Sequence, residues 1–585
     1  MGARLLPLWI AAAAYSQTCP PTPAYSHCDL VFELNNAEAA AHPNPYLTVD
    51  LRAEFRSPRH RTFLLPAFWD GGRRLVIRFT PTGAGQWDYR VSGNIARFAG
   101  STGSLNATES ESPGFVKPAN VRFFSYTEGF KPHLWMGDSL PRLAFLEAAQ
   151  FQQIVDARAA QKFNHIRGLV LGGPAESARI FSEPDRFDPA HFRALDERIL
   201  YMNRKGIVAD LMLAAGDNHL TQLFPAWQQR ERYIRYLVSR YAPLNITWQG
   251  VEDFESYTNG RELLKEIGTL LKKLDPYQHP RSTHARATSA PLIDDGWMDH
   301  LIYDSADNAL GAVEHQLYPL PQVNVGIAGA DAAELRKRLW NAWMNGQFVS
   351  VSGPLPAQAA EQMTAWFDFV SETRYWDLEP FFDVDGGRAL ALETIEHIVY
   401  LEKPGPVEAL VEKHGYEIIW FNPLTGESVQ EKKNFKGERF SGSPPDATHD
   451  WVLHLSREGK KEGMLKSYKF EARRIILQEV EQSTQKVPFD IELPAGDTIS
   501  LSKPVAFAAR LKRETRATRA MQYLWTAEVG TDGQGYRVAG SGAKGTLSIP
   551  PGIARHFPAT MHLRLTGMNA NGKVYSTDKI FQLTQ

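Results

Sequence analysis

Cysteine is nearly missing from this 585-residue chain, which has two, Cys19 and Cys28. That excludes a Cys-based metal site further along and a disulfide framework as the main source of stability. An excess of one charge is missing too. The formal net charge is −2, so no basic field draws in nucleic acid or an anionic membrane surface. Beyond the first residues no apolar stretch is long enough to cross a bilayer. There is no P-loop, no Gly-rich phosphate fingerprint after a first strand and no G-x-S-x-G elbow. His165, His219, Asp217 and Glu252 make no H-x-x-x-H-type spacing. Neither a cofactor nor a metal is expected.

What is present is ordinary globular composition, 43% hydrophobic and 22% charged, at a length that implies three or four domains. The opening residues join a positive Arg4, an apolar run Leu5–Ala14 and small residues around Ser16. This is the pattern of a secretory signal peptide spanning 1–16, which predicts a secreted or periplasmic bacterial protein with no integral membrane segment after cleavage. Cys19 and Cys28 would then follow the cut, either bridged or as two free thiols. Aromatics reach 11%, with 14 Trp. They suit sugar stacking, but sheet cores use the same residues.

Residues 29–113 read as short strands separated by turn signals at Asn44-Pro45, Asp70-Gly71-Gly72 and Thr82-Gly83, which predicts a β-sandwich. From 121 to 382 strands alternate with amphipathic helices, among them Asp188–Lys205 with Phe192, Leu195, Ile199 and Met202 on one face. Eight such repeats over about 260 residues predict a (β/α)8 TIM barrel. Residues 385–480 return to β structure, and 485–585 read as an immunoglobulin-like β module with an Asn571-Gly572 hairpin signal. The expected fold is multidomain, a (β/α)8 barrel flanked by β-sandwich domains.

Barrel enzymes present their chemistry where strands end. In Asn245–Glu255, NITWQGVEDFE, a β-rich run stops at Glu252 and Asp253. Asp138, Glu176, Asp217 and Asp304 each follow another predicted strand, while His284 and Tyr303 end the fifth and sixth. Gln249 precedes Glu252 as an amide donor. Asp331 has capping-box spacing to Glu334 and is expected to start a helix.

Three stretches carry a resemblance. The first, with Phe68-Trp69-Asp70-Gly71 and the pattern Arg78, Phe79, Pro81, Gly85, Trp87, Tyr89, resembles the β-sandwich that precedes the barrel in exported bacterial glycoside hydrolases. The second, with Gly137-Asp138-Ser139, Phe163-Asn164-His165-Ile166, Trp248 to Asp253 and DPYQHPRSTHA (Asp275–Ala285), is similar to the apiosidase-like barrel of clan-A glycoside hydrolases. The third, with Trp420-Phe421-Asn422-Pro423-Leu424-Thr425-Gly426 and Asp450-Trp451-Val452-Leu453, resembles a β domain labelled collagen-binding. The resemblance implies a polysaccharide or oligosaccharide substrate. It also implies an acid/base at the end of strand four, matched by Glu252, and a nucleophile at the end of strand seven. Gly326 stands at that second place.

A two-carboxylate mechanism would then need Asp138 or Asp217, or another strand-end carboxylate, as the partner of Glu252. Gln249, His284, Tyr303, Asp304 and Glu176 would bind substrate. The expected function is hydrolysis of O-glycosidic bonds in plant or microbial polysaccharide. The alternatives are an inactive carbohydrate-binding barrel and, third, adhesion through the C-terminal β domains.

Overall fold

The computed structural model describes residues 19–460, 463, 465, 477–493, 498–500, 504–530, 535–547 and 558–584. The expected signal segment lies outside them. Cys19 and Cys28 are disulfide-bonded, which ties the start of the described chain to the strand Cys28–Glu33.

The N-terminal β region packs a five-stranded sheet on a three-stranded one. Its strand Leu51–Arg56 alternates buried and exposed residues, as a half-covered sheet requires. Phe55 stacks on Phe79 at 4.0 Å between ring centroids, and Trp87 meets Phe79 edge-on. Arg78 of the sequence signature turns the other way. It donates to Asp29 at 2.9 Å and to Asp196 of the barrel at 3.1 Å, and Asp196 also accepts from Arg240 at 2.7 Å. This buried network fastens the sandwich to the barrel.

The barrel strands are β1 (Met136–Ser139), β2 (His165–Leu169), β3 (Val208–Ala214), β4 (Ile246–Val251), β5 (Arg281–Ser282), β6 (Leu301–Tyr303), β7 (Gln322–Ile327) and β8 (Phe348–Ser352). They pair in parallel in the order β5-β4-β3-β2-β1-β8-β7-β6. The seam between β5 and β6 is joined by Asp299 N–H to Arg281 O and by Ser282 Oγ to His300 O, both at 2.8 Å. The helices are α1 (Ala148–Ala160), α2 (Pro189–Arg204), α3 (Trp227–Tyr241), α4 (Gly260–Leu274), α5 (Asn308–Leu317), α6 (Ala332–Met344) and α7 (Ala357–Ser371). A short 3-10 turn, Ala290–Asp295, replaces the helix after β5. Two boundaries differ from expectation in ways that matter. β1 runs through Gly137-Asp138-Ser139, and β7 continues through Gly326.

A hairpin, Val116–Ala119 with Phe123–Tyr126, closes the N-terminal end of the barrel. Its Phe124 meets Trp135, His300 and Phe348. Above it the interior is polar. Trp135 stacks on His165, and His133 hydrogen-bonds to His165 at 2.8 Å. Burial pushes His133 and His300 down to about 3, so both are neutral at ordinary pH.

The first C-terminal β region is one continuous eight-stranded sheet. The long strand Val407–Phe421 shifts register between Leu410 and His414, so its two halves hold different partners. One face packs on α6 and α7, and the other closes its own core around Trp420 and Trp451. The last region, Phe489–Thr584, stacks a three-stranded sheet on a five-stranded one.

Candidate active site

All of β4 is buried, and its side chains alternate between two surroundings. Trp248 points out and donates Nε1–H to Asp275 at 3.0 Å. Thr247 and Gln249 point in. Gln249 donates its Nε2 to both oxygens of Asp210, at 3.0 and 3.2 Å, inside the barrel and below the strand end, while its Oε1 has no partner among the described residues. Beyond the strand, the Glu252 N–H donates to Ala214 O at 3.0 Å. The Glu252 carboxylate accepts from the Gly216 N–H at 3.4 Å. Asp253 adopts a left-handed φ of 43°. Aspartate tolerates that conformation better than most residues, and here it turns the side chain onto β5.

That turn brings Asp253 to His284, with Oδ1 and Nδ1 2.9 Å apart. The other ring nitrogen, Nε2, lies 3.3 Å from Asp304 Oδ2. One imidazole therefore bridges two carboxylates. Burial alone would lower the His284 pKa, but the bonds to Asp253 and Asp304 outweigh it and hold His284 above its ordinary 6.5. The bond to His284, helped by Arg286, holds Asp253 below the usual carboxylate range. Arg286 Nε sits 3.5 Å from Asp253, and the Arg286 backbone N–H donates to Glu255 at 3.2 Å.

Gly326 faces inward from β7, toward Asp304. A Cβ placed on it would lie 2.4 Å from Asp304 Oδ1 and 2.7 Å from Ser305 N. Its backbone is not left-handed, so the glycine answers a close approach and not a turn. Asn324 fixes that approach. Its Oδ1 accepts from the Gly326 N–H at 3.0 Å, and its Nδ2 donates to Ser305 O at 2.8 Å. Asp331 caps α6 through the Glu334 N–H at 2.9 Å.

Arg167 lies under this mouth on β2. It donates to Ser139 Oγ at 2.9 Å, while Nε and Nη1 have no partner among the described residues. Burial lowers its pKa, against the attraction of Asp210, Asp304, Glu252 and Asp253. Sequence reasoning missed Arg167 as a site residue. The available signal was parity: His165 and Arg167 are alternate residues of one strand, so both face the interior.

The remaining candidates fall elsewhere. Asp138 lies within β1 and not past it, and alternation aims it outward at Arg158 of α1, 2.6 Å away. Tyr303 also points outward, toward Glu314. Glu176 caps a short helix, accepting from the Gly173 N–H at 3.1 Å and pairing with Arg142 at 2.6 Å. Asp217 is exposed at the loop after β3, its N–H donating to Ser256 Oγ at 2.6 Å. Thus Glu252, Asp217, His284 and Asp304 sit at the C-terminal mouth, Asp138 and Glu176 are paired with arginines, Tyr303 points away toward Glu314, and Gln249 lies below the strand end with its Oε1 unpartnered among the described residues. Among the described residues no group of three or more His, Cys, Asp or Glu is arranged to hold a metal ion.

Residues 118–324 match the family described as apiosidase-like, catalytic domain. Residues 22–94 match a domain of unknown function, DUF5060. A candidate glycoside hydrolase from Bacteroides vulgatus ATCC 8482 superposes with a TM-score of 0.63 at 18% identity, covering 75% of this chain and 99% of its own. A family 5 glycoside hydrolase from the same organism gives 0.52 at 15% identity, over 62% and 96%. A third glycoside hydrolase structure gives 0.51 at 14%, over 61% and 98%. Among curated proteins, none matches the chain. The barrel is an apiosidase-like, glycoside hydrolase-like domain, set in a multidomain chain with β-rich regions on both sides.

Proposed function

We propose that this chain hydrolyses O-glycosidic bonds of a plant or microbial polysaccharide outside the bacterial cytoplasm, with Glu252 as general acid/base. One observation carries the reading. Carboxylates from the ends of β4 and β6 converge with His284 and Arg167 at the C-terminal mouth of a glycoside hydrolase-like barrel, where such folds keep their chemistry. Glu252 suits the acid role better than its neighbour Asp253. A general acid must carry a proton when substrate arrives, and the bond to His284 holds Asp253 ionised. In this reading Asp217, exposed beside Ser256, and His284 contact hydroxyl groups of the sugar. Among the described residues no helix is long and apolar enough to cross a membrane.

Gly326 favours a second reading, a barrel that binds carbohydrate without cleaving it. Reducing-sugar release from a panel of pectin, arabinogalactan and mannan separates the two. Hydrolysis by the wild-type chain that Glu252→Gln lowers by roughly 10²–10⁴-fold supports the enzyme. Retardation on these polysaccharides in affinity electrophoresis, with no release from any of them, supports the binding barrel.

A further inference from the structure

Resting on the glycosidase reading, we infer that Asp304 is the second catalytic carboxylate, moved from the end of β7 to the end of β6, and that it activates a water in an inverting hydrolysis. The first support is steric. The space in which a β7 side chain would begin is filled: a Cβ on Gly326 meets Asp304 Oδ1 at 2.4 Å and the Ser305 N at 2.7 Å. Glycine at 326 is thus the condition for Asp304 to stand where it does, and the missing glutamate and the inward aspartate are one arrangement. The second support is anchoring. His284 Nε2 holds Asp304 Oδ2 at 3.3 Å, and Asn324 ties the adjoining Ser305 carbonyl to β7 at 2.8 Å. The third is access. The Asp304 side chain is 38% exposed, so water reaches it, whereas Asp138 is 1% exposed.

The inverting outcome follows from reach. A glutamate at 326 would extend its carboxylate two carbons beyond Cβ, toward the sugar. Asp304 Oδ1 lies beside the Cβ position itself, and the bond from Oδ2 to His284 keeps the group from swinging forward. On this geometry the Asp304 carboxylate would stand farther back from a bound sugar than the carboxylate of a β7 glutamate. Inverting enzymes hold their two carboxyl groups about 6.5–9.5 Å apart, against about 5–5.5 Å in retaining ones, and the difference houses the water. In the step, Asp304 removes a proton from water while the water oxygen bonds to the anomeric carbon. The glycosidic C–O bond breaks, its electron pair stays on the leaving oxygen, and that oxygen takes the proton of Glu252.

The test uses the full chain and the polysaccharide panel. Asp304→Asn should keep the wild-type melting temperature within a few degrees and lose roughly 10²–10⁴-fold in activity, and proton NMR of the first wild-type product should show the inverted anomer. Gly326→Ala, which pushes on Asp304 without touching Glu252, should lose activity in parallel. An Asp304→Asn enzyme within tenfold of wild type, or a product of retained configuration, overturns the inference while leaving the glycosidase reading intact. No release by the wild-type chain from any polysaccharide overturns both.

Discussion

Tyr536 in the last β region donates its hydroxyl to Glu314 of α5 across 2.7 Å. The second Glu314 oxygen accepts from Thr288 Oγ1 at 2.8 Å, and Tyr318 meets Tyr536 at 3.0 Å. The barrel and the last β region are thus joined through a carboxyl group that burial pushes up to about 7 from an ordinary 4.5. The folded pKa lies above the unfolded one, so this group's contribution to stability is complete below pH 4.5 and fades as pH rises through 7. The full effect is about 3 kcal/mol. Calorimetry from pH 5 to 8 should show the wild-type chain losing stability, and Glu314→Gln should flatten that part of the profile. An unchanged slope in Glu314→Gln would remove Glu314 as its source.

The first C-terminal region is fastened by a different bond. Arg336 of α6 grips Asp450 through Nε at 3.1 Å to each oxygen and Nη2 at 2.7 Å, and Tyr400 donates to the same carboxylate at 3.0 Å. Both partners are nearly fully buried. Removing one leaves the other charge unpaired in a dry interface, at about 3–5 kcal/mol. Asp450→Ala should lower the denaturation midpoint accordingly. Arg336→Met combined with Asp450→Leu should recover most of the loss, because a buried pair replaced by apolar groups is often close to neutral. If the double variant is as unstable as the single one, packing rather than charge sets the cost.

The barrel was legible because strands alternating with amphipathic helices leave a strong pattern in sequence, and the end of β4 because acids break an apolar strand at Glu252 and Asp253. Side-chain direction was not legible where a strand boundary was misplaced. Reading Asp138 as past β1, when it lies inside it, turned an outward partner of Arg158 into a candidate at the mouth. Gly326 was visible as an absence, yet what fills the space is Asp304 and the Ser305 backbone just past β6, a contact that one-dimensional spacing does not encode. Arg78 shows the converse. Its signature was plain, and its reason, an ion pair to Asp196 on a helix 118 residues on, needed the fold.

His284 makes the mouth sensitive to pH in a predictable direction. Its ring sits between Asp253 and Asp304, and those bonds raise its pKa above 6.5. The stabilisation is fully present below the unfolded pKa and is lost as pH climbs through the raised one. Histidine NMR on the full chain should find one buried imidazole titrating above 6.5, and Asp304→Asn should bring that value down. A His284 that titrates below 6.5 would mean that burial outweighs the two carboxylates.

Arg167 gives the sharpest separation between a structural and a ligand-binding role. It is 6% exposed, and two of its nitrogens are without partners among the described residues. A buried guanidinium left incomplete under carboxylates is costly unless water or a ligand completes it. A hydroxyl-rich substrate at the mouth supplies acceptors for those N–H groups, and hydrogen bonds to a charged donor contribute about 1.5–3 kcal/mol each. Arg167→Lys keeps the charge near Asp210 and Asp304 but loses the fork. It should raise KM roughly 10-fold or more with little change in stability. Arg167→Met removes the charge as well, leaves Asp210 in a buried site without its cation, and should also lower the melting temperature. Equal loss of stability in both variants, with KM unchanged in the lysine variant, would make Arg167 a structural counter-ion and place substrate recognition elsewhere in the mouth.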